Sequence, residues 1–261
     1  MSIHPTAVVD DGAHLGSGVS IGPYAIVEAD TSIGDRTELR AHVIVKRFTT
    51  MGADNRIYEG AVIGGEPQDV SFKGEPSRLV IGDRNLIREG VTIHRATAPG
   101  GQTTVGSDCF VMAYAHIAHE NRIGDRVILA NNVMLAGFVE LGARAFLSGG
   151  VGVHQFCRVG RLAMLGGNSK IVKDCLPFVI TDGFPARARG LNVVGLRRAG
   201  FSASDIRTLK EGYRLLLRSN LLLADALEKM TALGSPLVDE MVGFVRRSKR
   251  GFHRTTRETD V

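Results

Sequence analysis

A large apolar residue recurs at every sixth position along most of this 261-residue chain. Neither an α-helix, with a period of 3.6, nor a simple β-strand, with a period of 2, predicts a strict period of six. The interval must therefore belong to a larger repeating unit. The 26 positions in register are Ile3, Val9, Leu15, Ile21, Val27, Ile33, Leu39, Val45, Met51, Ile57, Ile63, Ile81, Ile87, Ile93, Val105, Val111, Ile117, Ile123, Leu129, Leu135, Leu141, Leu147, Val153, Val159, Leu165 and Ile171.

This spacing is the hexapeptide pattern of a parallel β-helix. Each hexad makes a short strand and a turn, and three hexads close a triangular coil of about 18 residues. The 26 repeats therefore predict between eight and nine coils. Gly, Asn and Asp, as in the "IGDR" sequences that begin at Ile33, Ile81 and Ile123, tolerate the backbone angles that tight corners need.

Two segments, 64–80 and 94–104, break the register and are too long for corners, so we expect both to project as loops. The repeat stops after Pro177, and apolar residues then follow helical spacing. We predict a β-helix over 1–190 and a helical domain over 191–261 that caps the last coil. Its predicted helices are one with helical spacing at Ile206, Leu209, Tyr213 and Leu216 and an N-cap at Ser202 or Ser204, one near 222–232 and one near 236–249.

Charge is divided unevenly between these two parts. Residues 1–186 carry 17 Lys/Arg and 19 Asp/Glu, whereas residues 187–261 carry 15 and 8. The basic part is either a docking surface for an acidic partner or an ordinary solvated helical surface. The chain has no apolar run of bilayer-spanning length and no secretory signal pattern, so we expect a cytoplasmic protein without a membrane span.

Three cysteines at wide spacing, Cys109, Cys157 and Cys175, form no CxxC pair. We interpret them as small buried thiols. No pattern indicates a metal, a cofactor or a nucleic-acid partner.

The stretch "YAHIAHEN" places two histidines three residues apart. On a helix this spacing would favour a zinc site, but in a flat coil it does not. At 18 residues per coil, His119, Gly137 and Gln155 form a column that offers a base, an unobstructed backbone N–H and an amide. These groups suit acyl transfer, although an incidental surface histidine would fit the same pattern.

The sequences "IHPTAVV", "IGDRNLIREGVTIHR", "AHIAHEN", "ILANN", "VHQFC" and "GLRRAGFS" resemble the UDP-N-acetylglucosamine acyltransferases that begin lipid A synthesis. The resemblance covers nearly the whole chain. It implies a left-handed coil, a homotrimer with active sites between adjacent β-helices, and transfer of an (R)-3-hydroxyacyl group. The donor would be acyl carrier protein and the acceptor the 3-hydroxyl of UDP-N-acetylglucosamine, without a cofactor.

The resemblance also implies roles for individual residues. His119 would be the general base, Gly137 the oxyanion donor, and Glu120, where the family usually has aspartate, the group that orients His119. The residues that match sugar-nucleotide positions are Asp69, His116, His154, Gln155, Asn192 and Arg198.

Three residues depart from the family pattern. Ser71, Val194 and Phe138 stand where lysine, glutamate and histidine are common. Phe138 predicts an altered acceptor site that also takes the 3-amino analogue of the sugar.

A second column, Ala113, Asn131, Gly149 and Gly167, consists mostly of very small residues and predicts a groove along the coil axis. Either glycine satisfies a tight corner there, or an acyl chain occupies the groove. The resemblance assigns Gly149 and Gly167 to the acyl-chain groove, where Gly167 would help to set the chain length accepted.

Three other functions are consistent with hexapeptide repeats. The related N-acyltransferase of the same pathway carries a further domain before its β-helix, whereas here the repeat starts at Ile3. A carbonic anhydrase of this class would bind zinc through histidines between subunits. A passive scaffold would leave the glycine columns and the loops unexplained.

Overall fold

The computed structural model describes residues 1–255 and consists of a left-handed parallel β-helix followed by a β-hairpin and four helices. The predicted fold class is confirmed. The end of the predicted helical domain, 256–261, lies outside the described residues.

The strands form three faces, each a sheet that runs along the coil axis. Face 1 comprises β1 (Ser2–Ile3), β4 (Ser20–Ile21), β7 (Glu38–Leu39), β10 (Arg56–Ile57), β13 (Leu86–Ile87), β16 (Phe110–Val111), β19 (Ile128–Leu129), β22 (Phe146–Leu147), β25 (Met164–Leu165), β27 (Val179–Gly183) and β28 (Ala186–Leu191). Face 2 comprises β2 (Val8–Val9), β5 (Ile26–Val27), β8 (Ile44–Val45), β11 (Val62–Gly65), β14 (Thr92–His94), β17 (His116–Ile117), β20 (Met134–Leu135), β23 (Gly152–Val153) and β26 (Lys170–Ile171). Face 3 comprises β3 (His14–Leu15), β6 (Ser32–Ile33), β9 (Thr49–Met51), β12 (Arg78–Ile81), β15 (Gln102–Val105), β18 (Arg122–Ile123), β21 (Glu140–Leu141) and β24 (Arg158–Val159).

The six-residue register positions the core. Ile117 pairs in parallel with Leu135, which pairs with Val153, and all three side chains point inward and are buried. The repeated apolar residues stack in this way along the inside of the coil and form one continuous core. Because each inward residue of the six-residue register stands directly above an equivalent one, these residues form apolar columns along the interior.

The corners use left-handed backbone. Among residues 1–255, 18 non-glycine residues have φ between 54° and 66°. The corner between a face 2 strand and the next face 3 strand, here called corner 2/3, includes Glu120, Phe138 and Phe156 at successive levels. Since side chains rarely adopt this conformation, the tight turn must impose it.

Both projecting loops leave corner 2/3. Residues 66–77 connect β11 to β12, and residues 95–101 connect β14 to β15. The loops are shorter than the sequence breaks suggest because these four strands extend into them. The first insertion lengthens its coil, so that Ile57 pairs with Ile87, and the inward register is kept.

The hairpin β27–β28 extends face 1 beyond β25 and precedes the helices. The helices are α1 (Val193–Arg198), α2 (Ala203–Leu217), α3 (Leu223–Thr231) and α4 (Pro236–Arg246). Ser202 caps α2 in a reciprocal capping box with Asp205, which agrees with one of the two predicted N-caps. The hairpin and α1 were absent from the prediction, because the hairpin has no six-residue period and α1 has only six residues.

A second apolar core joins the hairpin and the helices to the last coil, with Leu162 and Phe178 packed among the helix residues. Arg161 of the coil also donates to Glu240 of α4, with Nη2 2.7 Å from Oε2. Buried Asp174 accepts from the hydroxyl of Ser248 at 2.8 Å and so fixes the segment that follows α4. All three cysteines are buried and unpaired, as expected.

Candidate functional site

Corner 2/3 places His119, Gly137 and Gln155 at successive levels of the β-helix. The backbone N–H of Phe138 donates to the carbonyl of His119 at 3.0 Å, and that of Phe156 donates to the carbonyl of Gly137 at 3.2 Å. A methyl group added at Gly137 would collide with the His119 ring. Glycine is therefore required at this position for the imidazole to lie flat across the next coil.

The Gly137 N–H donates to no acceptor within residues 1–255. Gly137 packs against the His119 ring. The neighbouring N–H groups of Ala136 and Phe138 both donate to carbonyls of adjacent coils. An unbonded backbone N–H next to a base is the kind of donor that can stabilise a developing oxyanion.

The imidazole of His119 lies between two carboxylates and is only 8% exposed. Nδ1 forms a short hydrogen bond with Oε2 of Glu120, and Nε2 lies 3.9 Å from Oδ2 of Asp69. The ring of Phe138 meets it edge to face, with centroids 5.5 Å apart. If Glu120 is ionised it can only accept, so Nδ1 carries the proton and Nε2 is left free as an acceptor.

Glu120 is held by more than the histidine. Its Oε1 accepts from the backbone N–H of Thr97 at 2.6 Å, from the Thr97 hydroxyl at 2.7 Å and from the N–H of Ala98 at 3.2 Å. Burial alone would raise the pKa of Glu120, but the hydrogen bonds from Thr97, His119 and Ala98 outweigh it and lower that pKa. Glu120 is therefore an anion that connects the loop 95–101 to His119.

Asp69 projects toward His119 from the loop 66–77. Ser71 donates to its Oδ1 through the hydroxyl at 2.6 Å and through the backbone N–H at 2.8 Å, and these bonds lower the pKa of Asp69. Oδ1 is thus occupied, and Oδ2 faces the histidine. Ser71 consequently helps to fix the shape of the loop.

His116 and His94 form a second pair beneath the site. Nδ1 of His116 lies 2.7 Å from the Thr92 hydroxyl, and the His94 ring meets the His116 ring edge to face at 4.8 Å. Burial, followed by the charge on His119, lowers the pKa of His116. Burial lowers the pKa of His94 further, to about 4. Both rings are therefore neutral at pH 7.

A cleft of 650 Å³ on face 2 opens beside these groups. Lys170, Met134 and Gln68 also line it, although no motif in the sequence indicated them. The 18-residue register from His116 through Met134 and Gly152 to Lys170 would have found two of the three. Six of the predicted site residues meet in this cleft: Asp69, His116, His119, Gly137, His154 and Gln155.

Four other predicted site residues lie outside this cleft. Asn192 caps α1 by accepting from the Gly195 N–H, and its amide donates to the carbonyl of Leu162. Arg198 is exposed at the end of α1. Gly149 and Gly167 stack on one another at the corner between faces 1 and 2, where a Cβ on Gly167 would lie 3.5 Å from the Gly149 carbonyl oxygen.

A larger cavity of 1280 Å³ lies on the other side of corner 2/3. This basic cavity is lined by Arg122 and Arg158 of face 3 and by the segment 246–250 after α4, and Glu120 reaches its edge. Phe138 and Phe156, stacked with centroids 4.7 Å apart, also line it. Phe138 lines this basic cavity and does not line the cleft on face 2. The altered acceptor site that Phe138 predicts is therefore not tested by this geometry and stays a prediction.

Within residues 1–255, no group of three or more His, Cys, Asp or Glu side chains is arranged to hold a metal ion. Helices long and apolar enough to cross a bilayer are likewise not found in this part of the chain.

Stacked hexapeptide coils with a histidine–carboxylate pair in a surface cleft define a hexapeptide-repeat acyltransferase. Residues 12–47 and 102–137 match the family model described as bacterial transferase hexapeptide, and residues 174–253 match the one described as UDP-N-acetylglucosamine O-acyltransferase, domain 2. The chain is 52% identical over 259 residues to the acyl-[acyl-carrier-protein]–UDP-N-acetylglucosamine O-acyltransferase of Burkholderia orbicola, an alignment that covers 97% of this chain and 99% of the relative.

Solved structures agree with this assignment. The UDP-N-acetylglucosamine O-acyltransferase of Moraxella catarrhalis is 45% identical, with a TM-score of 0.95 over 97% of this chain and 100% of that one. The Francisella novicida UDP-N-acetylglucosamine acyltransferase is 36% identical, with a TM-score of 0.95 over 99% and 96% of the two chains. The chain belongs to the family of acyl-[acyl-carrier-protein]–UDP-N-acetylglucosamine O-acyltransferases, as its motifs predicted, and is an acyltransferase.

Proposed function

We propose that this enzyme transfers an (R)-3-hydroxyacyl group from acyl carrier protein to the 3-hydroxyl of UDP-N-acetylglucosamine, the first step of lipid A synthesis. The names of its close full-length relatives support the substrates. The observation that carries the chemistry is the His119–Glu120 pair beside the unbonded N–H of Gly137.

His119 acts as the general base. With Nδ1 bonded to Glu120, Nε2 accepts the proton of the sugar hydroxyl as its oxygen attacks the thioester carbonyl carbon. A new C–O bond forms, and the carbonyl π electrons move to oxygen. Glu120 fixes the ring and favours the imidazolium that results, which is the role of a buried carboxylate in other histidine-based sites.

The Gly137 N–H donates to the oxyanion of the tetrahedral intermediate. When the intermediate collapses, the C–S bond breaks and the carrier's thiolate takes the proton from Nε2. The ester product and the free thiol then leave. No covalent acyl-enzyme and no cofactor are needed for this sequence.

The cleft residues bind the sugar nucleotide in this proposal. Asp69, His116, His154 and Gln155 surround the cleft and offer donors and acceptors to the glucosamine. Arg198 suits a phosphate because its guanidinium can donate two hydrogen bonds. Since Asn192 and Arg198 lie outside the cleft of their own chain, we propose a homotrimer in which an adjacent copy supplies them.

The acyl chain occupies the groove at Gly149 and Gly167 of an adjacent copy. Neither glycine has left-handed φ, and a Cβ at Gly167 makes only ordinary contacts, so the lack of side chains there leaves usable space along the axis. Burial of the chain contributes about 0.8 kcal/mol per methylene.

The basic cavity docks the acidic carrier protein. Arg246, Arg247 and Lys249 are exposed at its rim, and the Glu120 edge brings it close to His119. Opposite charges would speed encounter, so the KM for the acylated carrier should rise with ionic strength.

Replacement of His119 by alanine tests the mechanism. We expect kcat to fall by about 10²–10⁴-fold, because a positioned base typically contributes this much. Folding and assembly, followed by circular dichroism and sedimentation, should be unchanged. A near-normal kcat would remove His119 from the chemistry, and a change confined to KM would make it a binding residue. Loss of wild-type activity after chelation, with recovery on zinc, would instead support the metal-dependent alternative.

A further inference from the structure

Arg95 is a buried arginine with an unusual set of partners. The residue is 5% exposed, and its guanidinium lies over the rings of Phe48, at 5.4 Å, and Phe72, at 4.9 Å. Nη1 donates to the carbonyl of Glu75 at 2.7 Å and to the hydroxyl of Ser77 at 3.1 Å. The carboxylate nearest to it, Glu66, lies at 3.4 Å but is 74% exposed.

These contacts cross from one structural unit to another. Arg95 begins the loop 95–101, Phe48 belongs to corner 2/3 two coils earlier, and Phe72 and Glu75 belong to the loop 66–77 of the coil between them. The backbone N–H of Arg95 also donates to the carbonyl of Gly65, at the base of that loop, at 3.0 Å. Arg95 therefore holds the loop 66–77 at its start, its middle and its end.

The contacts of Arg95 with the loop 66–77 are here called the Arg95 clamp. Phe72 links this clamp directly to Asp69. The backbone N–H of Phe72 donates to the carbonyl of Asp69 at 3.1 Å, and Ser71 between them donates twice to Oδ1 of Asp69. The three residues form one tight turn. A guanidinium that fixes the Phe72 ring thus fixes the turn from which Oδ2 of Asp69 faces Nε2 of His119.

A buried charge without a buried counter-ion is costly, and an apolar side chain would fill this space between two phenyl rings at lower cost. The planar guanidinium provides what an apolar side chain cannot, which is simultaneous stacking on two rings and donation to a carbonyl. We propose that Arg95 is a positioning residue for the acceptor site, which acts through the 69–72 turn to hold Asp69 beside His119.

The proposal rests on the proposed acyl transfer to UDP-N-acetylglucosamine for its kinetic test. Arg95→Met keeps an unbranched apolar stem but removes the charge and the donors. Arg95→Lys keeps the charge and an ammonium donor but removes the planar guanidinium. We expect Arg95→Met to raise the KM for the sugar nucleotide by about tenfold or more, with the KM for the acylated carrier within about twofold of wild type. The KM of Arg95→Lys for the sugar nucleotide should lie between those of wild type and Arg95→Met, because the ammonium can donate to Glu75 but cannot stack as a plane.

Arg88→Met is the matched control. Arg88 also stacks on an aromatic ring, with its guanidinium carbon 4.5 Å from the Tyr58 centroid, but it lies away from the cleft. Arg88→Met should leave the KM values for the sugar nucleotide and for the acylated carrier unchanged. An equal loss for both substrates in Arg95→Met would indicate general destabilisation and overturn the proposal.

A double-mutant cycle with Asp69→Asn tests the route of action. If Arg95 acts through Asp69, adding Arg95→Met to Asp69→Asn should raise the sugar-nucleotide KM by less than twofold beyond Asp69→Asn alone. Effects that simply multiply would contradict this route.

Hydrogen exchange provides a readout that needs no substrate and so separates this proposal from the proposed reaction. In Arg95→Met, the amides of Ser71 and Phe72 should exchange at least about tenfold faster, while the amide of Phe138 at corner 2/3 keeps its rate. Unchanged amide exchange at Ser71 and Phe72 would contradict the proposed role of Arg95, even if the enzyme acylates UDP-N-acetylglucosamine. Faster amide exchange in the loop of an enzyme that does not acylate UDP-N-acetylglucosamine would support the role of Arg95 and contradict the proposed acceptor.

Discussion

At the level of single residues, the site depends on side chains that are fixed from more than one direction. Glu120 accepts from Thr97, Ala98 and His119, so its carboxylate cannot rotate without the loss of several hydrogen bonds. The glutamate reaches both the loop 95–101 and the histidine, where the family resemblance led us to expect the shorter aspartate. The extra methylene therefore does not displace the carboxylate from Nδ1.

His94 makes the stability of the protein sensitive to acid. Its side chain is buried, its Nδ1 has no partner among the described residues, and burial lowers its pKa from 6.5 to about 4. The unfolded chain binds a proton near pH 6.5, whereas the folded chain does so only near pH 4. The contribution of neutral His94 to the free energy of unfolding is thus complete above pH 6.5. It falls by on the order of 3 kcal/mol as the pH decreases toward 4.

Urea denaturation between pH 7 and pH 4, at one protein concentration, measures this effect. His94→Asn should flatten the pH dependence of the free energy of unfolding, and His14→Asn, at an exposed histidine, should not. Parallel curves for His94→Asn and wild type would show that another group carries the acid sensitivity.

At the level of structural elements, the hexapeptide period predicted the coils because inward residues are selected at every level of the stack. The same register predicts that His119, Gly137 and Gln155 lie in one column. It could not predict that Arg95 contacts Phe72 or that Glu120 accepts from Thr97. Those contacts depend on two loops without periodicity, whose paths are decided by their mutual hydrogen bonds, such as Gly100 N–H to the carbonyl of Pro76.

The column at the corner between faces 1 and 2 leads to a prediction about the donor. The family resemblance implies that wild type prefers 3-hydroxyacyl donors of roughly twelve to fourteen carbons over ten, and each buried methylene would contribute about 0.8 kcal/mol to this preference. Gly167→Met should invert this order by filling the groove, because longer tails would then have to bend.

The measurement is kcat/KM for carrier proteins with acyl chains of different length. Ala143→Met places the same side chain at the equivalent hexad position of another corner and should keep the wild-type order. If folded Gly167→Met also keeps that order, the acyl tail lies elsewhere.

At the level of the whole molecule, two cores meet at the last coil. We propose that 1–190 and 191–261 are its two functional units, the first carrying the cleft and the second the basic segment and Arg198. Apolar packing around Leu162 and Phe178 and the Arg161–Glu240 pair couple them, so the position of the segment 246–250 follows that of the coil.

The proposed trimer can be tested by complementation between two inactive variants. His119→Ala and Arg198→Ala should each lose most activity as pure proteins. If an adjacent copy supplies Arg198, unfolding and reassembly of an equal mixture should restore about a quarter of the wild-type activity, because that share of interfaces pairs two intact residues.

A mixture of His119→Ala and Asp69→Ala is the control. Both residues line the cleft of one chain, so reassembly should restore nothing. Recovery in this control, or none in the first mixture, would contradict the shared site.

The origin of both loops at corner 2/3 bears on how such an enzyme can acquire new substrates. Insertions at this corner lengthen a coil without disturbing the inward register, as the pairing of Ile57 with Ile87 demonstrates. At the Gly137 and Gln155 levels the turns still have only four residues, 136–139 and 154–157. A segment grafted at the second of these turns would border the same cleft from above. Evolution, or a protein engineer, can therefore diversify specificity by adding length at a single edge of an unchanged scaffold.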